Sequence, residues 1–296
     1  MACWLLVSAQ VNASVCGDEG VWVQILGAGA GELDNDQSAP SYLVWLDDQA
    51  RLLINTASGS AAQFAKAGAN FADLDAIVFN DLSPQRTVDL AHFISASAGS
   101  GRDRPLPLLG PTGNDRFPDT RTLLERLIGP NGVYPQLASF LTYKSEGGYK
   151  VNARDVPSTG QRRWARFGGP NFRLSSIPVN FTGTPAIAWR VEINDQSLVF
   201  TGSFNNAKDV ISKFARNTDA LIMPHAVPEG VRGSLRDQYV SPTKIGEIAS
   251  RAEARMVILG HRNNRTRGRE TQSTEAIREA FAGPLIFAND LECWGL

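Results

Sequence analysis

Histidine and cysteine are both scarce in this sequence, with three residues of each among 296. A mechanism that depends on an imidazole is therefore confined to His92, His225 and His261. The three cysteines are too widely spaced for the paired pattern of a zinc ribbon or a redox motif. The cysteines alone therefore provide no metal site.

Cys16 and Cys293 stand near the two ends of the chain. In an oxidising compartment these residues would form a disulfide that joins the termini, and in a reducing compartment they would remain free thiols. The sequence leaves both alternatives open.

The sequence also lacks an excess of charge of one sign, because its formal net charge is −1. Basic residues are scattered, so no surface is predicted for a nucleic-acid backbone or an anionic membrane. The densest basic stretch, residues 262–269, is interpreted either as a solvated loop or as a binding site for an anionic ligand. No apolar run approaches the roughly 18 residues of a membrane-spanning helix. We therefore expect no nucleic-acid partner and no membrane insertion.

The chain begins with a short apolar run. Residues 1–9 are mostly apolar, and Val11-Asn-Ala13 resembles the small-residue site at which a signal peptide is cleaved. However, no lysine or arginine precedes the run, which is short even for a signal peptide. Two interpretations stay open: residues 1–18 are the leader of an exported or periplasmic protein, or the protein is cytoplasmic.

The remaining composition is that of a globular protein, with 43% hydrophobic and 20% charged residues. Each half of the sequence begins with hairpin-like strands and ends with helices that alternate with strands. This order predicts an α/β protein with two mixed sheets packed face to face and helices outside, a four-layer αββα sandwich. We expect a single domain over residues 19–296, with a loop-rich insertion near residues 111–169.

Hydrophobic periodicity and turn signals delimit the predicted elements. Strands are predicted at residues 21–26, 42–46, 51–54, 74–79, 172–179, 186–193, 197–200, 220–223 and 256–259. Helices are predicted at residues 61–67, 86–98, 121–127, 207–215 and 242–252, and a last helix and strand lie within residues 274–287.

The glycine-rich run Gly27-Ala-Gly-Ala-Gly31 follows a predicted strand, as it does in dinucleotide-binding proteins. In that fold a helix begins within the glycines. Here residues 33–40 are too rich in Asp, Asn and Pro to continue a helix. A nucleotide site is therefore the weaker interpretation of this run.

Four segments resemble successive landmarks of metallo-β-lactamase-fold hydrolases, and they occur in the same order. They are VQILGAG (23–29), SYLV (41–44), RLLINTASG (51–59) and AGANFADLDAIVF (67–79). The resemblance implies the four-layer sandwich with two zinc ions held between the two sheets. A Val-Pro-Glu-Gly segment at residues 227–230 and the pair His261-Arg262 resemble bacterial, often exported, relatives.

The metal ligands of that family begin with the motif T-H-x-H-x-D-H. The corresponding run here is NDLSPQR (80–86), so the first two histidines fall on Asp81 and Ser83. The aspartate falls on Gln85 and the third histidine on Arg86.

The later ligand positions have changed in the same way. The family's next histidine falls on Phe181, and the bridging aspartate of its S-G-D motif falls on Ser203. Only the last ligand position keeps its residue, as His261. A catalytic zinc takes three or more protein ligands. We therefore expect no metal cofactor, with His261 and Asp81 as the most that could bind one; the alternative is zinc, as in the family.

Arg86 would stand where the family binds its second metal, and its guanidinium group stays protonated in proteins. A fixed positive charge would thus replace the metal ion. It would pair with Asp81 or Asp89 in an internal salt bridge, or it would form a pocket for an anion. The expected function is a non-hydrolytic protein that binds an unidentified, anionic small molecule. The alternative is an active hydrolase of an ester, lactam or phosphoester bond, metal-free or with a single atypical metal.

The resemblance places a set of polar residues around the former metal site. A metal-free hydrolase would have to draw its catalytic groups from Asp81, Ser83, Ser203 and His261. The expected pocket comprises Asp81, Ser83, Gln85, Arg86, Phe181, Ser203, His225, Tyr239 and His261. A homo-oligomer is compatible with these expectations.

Overall fold

The computed structural model describes residues 16–142 and 148–296, which form two seven-stranded β-sheets. The first sheet has the order β14-β1-β2-β3-β4-β5-β6 and consists of β1 (Val21–Gly27), β2 (Ser41–Leu46), β3 (Gln49–Ile54), β4 (Ala76–Val78), β5 (Leu106–Pro111), β6 (Val151–Val156) and β14 (Cys293–Gly295). The second has the order β13-β12-β11-β10-β9-β8-β7 and consists of β7 (Trp164–Gly168), β8 (Phe172–Phe181), β9 (Thr184–Ile193), β10 (Gln196–Phe200), β11 (Ala220–Pro224), β12 (Met256–Gly260) and β13 (Leu285–Phe287).

Both sheets are mixed and share one pattern of strand direction. In the first sheet the neighbours from β14 to β3 are antiparallel and those from β3 to β6 are parallel. In the second sheet the neighbours from β7 to β10 are antiparallel and those from β10 to β13 are parallel. This arrangement follows from the sequence, in which hairpins precede helix–strand alternation in each half.

The described residues also form the helices α1 (Ser60–Lys66), α2 (Pro84–Thr87), α3 (Leu90–Ala96), α4 (Thr120–Ile128), α5 (Ile211–Phe214), α6 (Ser234–Gln238), α7 (Pro242–Arg251) and α8 (Glu270–Arg278). Helices α1, α3 and α4 pack on the outer face of the first sheet, and α5, α7 and α8 pack on that of the second. One apolar core between the sheets contains residues of both, including Val23, Trp189 and Ile258. Two further cores lie between each sheet and its helices. The predicted four-layer αββα sandwich is therefore confirmed.

Two of the predicted helices are shorter in the structure. The helix expected at 86–98 is divided into α2 and α3, because the backbone at this point pairs with Thr56. The Thr56 N–H donates to the Arg86 carbonyl (2.9 Å), and the Asp89 N–H donates to the Thr56 carbonyl (3.0 Å). Val88, an apolar residue within the range of that predicted helix, is 56% exposed. The helix expected at 207–215 is reduced to α5, since Asn206 and Asp209 both have positive φ angles, which end a helix.

Residues 111–169 contribute regular structure to both halves of the fold. They include α4, a 3₁₀ turn at Pro135–Leu141, and the strands β6 and β7. β6 is the last strand of the first sheet and β7 the last strand of the second. The region therefore completes both sheets, and its polar, glycine-rich sequence reflects their exposed edges.

The glycines that follow β1 serve close packing. A side chain on Gly27 would lie 1.9 Å from the carbonyl oxygen of Ala39, and one on Gly29 would lie 2.6 Å from that of Gln37. The Gly29 N–H also donates to the carbonyl of Ser38 (2.8 Å). The next element is the strand β2, so the helix required by a dinucleotide-binding site is absent at this point.

A disulfide joins Cys16 to Cys293, with the two Cα atoms 5.6 Å apart. It links the residues before β1 to β14, which pairs with β1. Cys16 belongs to the segment 1–18 that was interpreted as a leader, so a leader that is cleaved must end before Cys16 for this bond to form. The apolar run at residues 1–9 lies outside the described residues. Within the described residues, no helix is long and apolar enough to cross a membrane.

We expect the double substitution Cys16→Ser/Cys293→Ser to lower the free energy of unfolding by about 2–5 kcal/mol, because the disulfide restrains a very long loop in the unfolded chain. Denaturant unfolding of oxidised wild type and variant measures this loss. A thiol reductant should lower the stability of the wild type by a similar amount and leave the double variant unchanged. Equal stability of all four samples would contradict a structural role for the bond.

Candidate functional site

The candidate site lies where loops that follow strands of both sheets meet. Asp81 follows β4 of the first sheet, and Arg86 lies in α2 just beyond it. Ser203 follows β10 and His261 follows β12 of the second sheet. These side chains are buried. The fold therefore brings together four of the positions at which the resemblance expects metal ligands.

The guanidinium of Arg86 is the centre of this cluster, and the residue is only 3% exposed. Its Nη2 donates to Ser203 Oγ at 3.1 Å and to His261 Nδ1 at 3.2 Å. Its Nη1 donates to the carbonyl oxygen of Pro40 at 3.4 Å. Its Nε lies 3.5 Å from Asp81 Oδ2 in a salt bridge. Acceptors thus surround most of the five N–H groups of the guanidinium.

Asp81 supplies the negative charge that a buried guanidinium requires. The second oxygen of this carboxylate accepts hydrogen bonds from the backbone N–H (3.0 Å) and the hydroxyl of Ser83. The internal salt bridge predicted from the sequence is therefore confirmed with Asp81 as the partner. Asp89, the other expected partner, instead binds the first turn of α1.

His261 is held as a neutral imidazole. Arg86 can only donate, so the Nδ1 atom of His261 must be its acceptor and the ring proton must be on Nε2. Burial, with the positive charge of Arg86, lowers the pKa of His261 from 6.5 to about 3. The backbone of His261 has φ 53°, a left-handed conformation that is uncommon outside glycine and asparagine. The end of β12 thus turns sharply to present this ring to Arg86.

Two asparagines that the sequence analysis did not single out connect the sheets beside the cluster. The Asn80 side-chain N–H₂ donates to the carbonyls of Ile187 (3.0 Å) and Phe200 (3.1 Å) in the second sheet. Asn55, at the end of β3, donates from its side chain to Asn80 Oδ1 (3.2 Å) and accepts from the Asn80 N–H (3.1 Å). Both asparagines are buried. The sequence signal that could have identified these two asparagines is their position directly after two strands that are adjacent and parallel in the sheet.

An aromatic pair covers the solvent side of the cluster. The ring of Tyr239 lies edge-on to the imidazole of His261, with centroids 5.8 Å apart, and Phe181 packs against Tyr239 at 5.6 Å. Both aromatic residues are half-buried. Burial raises the pKa of Tyr239, and the nearby charge of Arg86 opposes that rise. The Tyr239 hydroxyl is therefore close enough to the buried cluster to sense its charge.

The space left inside the cluster is very small. A cavity of about 10 Å³ lies between Arg86, His261, Tyr42 and Asn80, which is near the least volume that holds one water molecule. Small-molecule sites usually measure about 300–1,000 Å³. Burial raises the pKa of Tyr42, on the wall of this cavity, to about 12, so its phenol stays neutral. The centre of the expected pocket is thus a packed polar core.

The donor set of the cluster does not fit a zinc ion. Among the described residues, no three His, Cys, Asp or Glu side chains lie close enough together to hold a metal. The atoms of Asp81, Ser203 and His261 that face the centre are hydrogen-bonded or ion-paired to Arg86. A dication would have to displace a fixed positive charge from those same atoms.

Three expected pocket residues lie apart from the cluster or serve another contact. Gln85 is exposed and lies beside Gly31. His225 is fully buried behind β12, where its Nε2 is 2.8 Å from the hydroxyl of Ser273 and burial lowers its pKa to about 4. Ser83 binds Asp81 rather than His261, so the described residues contain no serine–histidine pair at this site. His92 is exposed on α3.

Three of the arginines between residues 262 and 269 bind carboxylates of their own chain. Arg262 pairs with Glu270. Arg265 lies 3.9 Å from Glu32, and Arg267 lies 2.5 Å from Asp36. The contacts of Arg265 and Arg267 join the basic loop to the loop after β1. The basic stretch is therefore largely neutralised within the chain.

We expect Arg86→Ala to lower the free energy of unfolding by about 3–5 kcal/mol, because it leaves the buried Asp81 carboxylate without its partner. Arg216 is the matched control, since its ion pair with Glu253 is more than half exposed. Arg216→Ala should cost under about 1 kcal/mol. Chemical denaturation measures both losses. Equal, small losses would show that the Arg86 contacts contribute no more than a surface ion pair.

We also expect stability to decrease in mild acid through His261. Its pKa is about 3 in the folded protein and near 6.5 when the chain unfolds. Below pH 6.5 the unfolded chain therefore binds the proton more strongly, so the stabilisation is complete above that pH and is lost progressively towards pH 3. His261→Asn keeps an acceptor oxygen, tolerates the left-handed backbone and cannot titrate. The free energy of unfolding of this variant should fall less than that of the wild type between pH 7 and 4, as measured by denaturant unfolding at several pH values. An equal fall in the two proteins would contradict the role of His261 in the acid sensitivity.

No protein-family model matches the chain, and no curated protein matches its sequence. Solved structures with the same fold do match. The metallo-β-lactamase fold protein YhfI from Bacillus subtilis superposes with a TM-score of 0.70 at 19% identity, covering 93% of this chain and 100% of YhfI. The short form of human tRNase Z gives 0.71 at 13% identity, over 93% and 98% of the two chains.

A third similar structure is Zn²⁺-bound PqqB from Methylobacterium extorquens, with a TM-score of 0.59 at 13% identity, covering 93% of this chain and 100% of PqqB. At these identities the likeness establishes the fold and not the activity. Together with the two mixed sheets and their outer helices, these superpositions show that the protein has the metallo-β-lactamase fold.

Proposed function

We propose that this protein is a non-hydrolytic binding protein for a small anionic molecule, in which a buried arginine has replaced the metal centre of the fold. The observation that carries the proposal is the set of contacts made by Arg86. Its guanidinium binds Asp81, Ser203 and His261, all at positions where the resemblance expects metal ligands.

The charges of the cluster support a structural role for it. Asp81 and Arg86 compensate each other, and His261 is neutral. Burying a charged pair is costly unless the remaining donors and acceptors are satisfied. Ser83 satisfies the other oxygen of Asp81, and Ser203 accepts from Arg86. The cluster therefore resembles a self-contained polar core, and its 10 Å³ cavity is too small for an organic substrate.

Binding is then expected outside the cluster, where space and positive charge are both present. A cleft of about 450 Å³ opens beyond Tyr239, the residue that covers His261. Its volume lies within the usual range for small-molecule sites. Several basic side chains line it, which favours an anionic ligand.

The alternative function is a hydrolase that is metal-free or uses a single metal, and the similar structures include hydrolytic enzymes such as tRNase Z. Such an enzyme needs a nucleophile within reach of a base. The hydroxyl of Ser83 donates to Asp81, and that of Ser203 accepts from Arg86. His261 uses its Nδ1 to accept from the same guanidinium. These contacts favour the binding function.

We expect the protein purified without chelator to contain substoichiometric zinc, iron and manganese, because the family's metal-ligand positions are largely occupied by residues that do not bind metals. Elemental analysis of the protein, before and after dialysis against each metal, measures this. Two tightly bound metals per chain would contradict the proposal. One tightly bound metal per chain that is lost in the His261→Asn variant would support the alternative hydrolase.

A triple variant with Asp81→His, Ser83→His and Arg86→His tests whether three histidines alone are enough to rebuild a metal site. Gln85, Phe181 and Ser203 would still lack ligand atoms suited to zinc. We therefore expect this triple variant to gain at most weak metal binding and no hydrolysis of phosphodiester or lactam substrates. Recovery of a dinuclear centre would show that the site is more readily rebuilt than its contacts indicate.

A further inference from the structure

The cleft beyond Tyr239 is built from the loop after β11, the short helix α6 and the start of α7. Its volume is about 450 Å³, and its lining residues include Asn205, Glu229, Arg232, Arg236, Tyr239 and Lys244. Tyr239 was an expected pocket residue and Glu229 belongs to the Val-Pro-Glu-Gly segment, whereas the basic residues of the cleft carried no prediction. The three basic residues lie within one short segment of the chain, and only the fold closes that segment together with Asn205 into one cleft.

The charge balance of the cleft is positive. Three cationic side chains face one carboxylate among its lining residues. Lys244 pairs with Glu247 one turn along α7. Arg232 and Arg236 are exposed, and neither forms an ion pair within the part of the chain that the structure describes. Two guanidinium groups are thus available to an incoming anion, in contrast to Arg262, Arg265 and Arg267.

The carboxylate in the cleft is already engaged. Glu229 Oε2 accepts a hydrogen bond from the backbone N–H of Thr243 at 2.9 Å, in the first turn of α7. A carboxylate in this position also interacts favourably with the helix dipole. Glu229 therefore stabilises the start of α7 and offsets only part of the positive charge of the cleft.

Tyr239 forms the boundary between the cleft and the buried cluster. Its ring packs on His261, while its hydroxyl has no hydrogen-bond partner among the described residues. Burial raises the pKa of Tyr239, the charges of Arg86 and Arg265 oppose that rise, and the charge of Asp81 adds to it. An anion that accepts from this hydroxyl would lie in the cleft that Arg232 and Arg236 line.

The backbone between the two free arginines has an unusual conformation. Gly233 has φ 70° and ψ −157°, a combination open essentially only to glycine. It stands directly between Arg232 and α6, the helix that carries Arg236. This glycine therefore allows the chain to turn sharply between the two cationic side chains.

We propose that this cleft is the anion site of the protein and binds a molecule that carries a phosphate or diphosphate group, held by Arg232 and Arg236. This inference rests on the proposed binding function. Planar guanidinium groups match the oxygens of phosphate with paired, charge-assisted hydrogen bonds. Lys244, which pairs with Glu247, also lines the cleft, and the Tyr239 hydroxyl provides a neutral polar group. The volume accommodates a phosphorylated metabolite of ordinary size.

Calorimetric titration with inorganic phosphate and with pyrophosphate, at constant ionic strength set by sodium chloride, tests the proposal. The cleft variant is Arg232→Ser/Arg236→Ser. The matched control is Arg162→Ser/Arg166→Ser, which removes two exposed arginines from the region of β7, outside the cleft. We expect wild type and control to bind pyrophosphate alike. The cleft variant should lose about tenfold or more in affinity, because it removes the charge-assisted hydrogen bonds of two guanidinium groups.

Two further variants separate the cleft from the buried cluster. Tyr239→Phe keeps the ring on His261 and removes the hydroxyl, so it should weaken pyrophosphate binding less than the arginine pair does. His261→Asn changes the cluster beneath the cleft and should leave the affinity close to that of wild type. A large loss in His261→Asn, with none in the cleft variant, would place the anion at the cluster and overturn the assignment to the cleft.

The remaining outcomes distinguish a failure of the cleft assignment from a failure of the proposed binding function. If pyrophosphate binds wild type and the cleft variant equally, the cleft assignment is wrong, while the anion-binding function still holds. If neither phosphate, pyrophosphate nor a dicarboxylate such as succinate binds the wild type, both proposals are wrong. Binding of succinate without pyrophosphate would retain the anion-binding function and overturn the phosphate class.

Discussion

A permanent positive charge inside the protein is the constraint on which the rest of the site depends. Arg86 is buried between the two sheets and cannot lose its proton. The surrounding structure therefore has to supply one countercharge and enough acceptors, which it does through Asp81, Ser203, His261 and the carbonyl of Pro40. These groups come from both sheets, so the guanidinium also joins the two halves of the sandwich.

The same junction is reinforced by neutral groups. Asn80 connects β4 of the first sheet to backbone carbonyls of the second, and Asn55 orients Asn80. The loops at this edge are thus held by hydrogen bonds that need no metal. This explains how the architecture of a metal-dependent fold is compatible with a site that has few ligand atoms. It also explains why space for a ligand is found in the cleft beyond Tyr239 and not within the cluster.

Much of the fold was predictable from local patterns. The hairpin of β2 and β3 and the strand–helix alternation after β10 have strong periodicity, and their order specified two mixed sheets. The helix expected at 86–98 is divided because the backbone of Arg86 and Asp89 pairs with Thr56, which lies in a distant loop of the chain. The pairing of Arg86 with a carboxylate was predictable from the cost of burying a charge. Its choice of Asp81 over Asp89 depended on where those loops meet.

The sequence by itself determined which chemical groups are available: a histidine and an arginine at positions where the resemblance expects metal ligands, and cysteines only near the ends. Periodicity and order determined the sandwich, because buried faces must alternate with the period of their own element. Only the tertiary structure decided that Arg86 is fully enclosed and that His225 faces Ser273 on the far side of β12. It also placed Asn205, which follows β10, in one cleft with Arg232, Arg236 and Lys244, which follow β11. Such proximity arises from the packing of distant segments, which local sequence patterns do not encode.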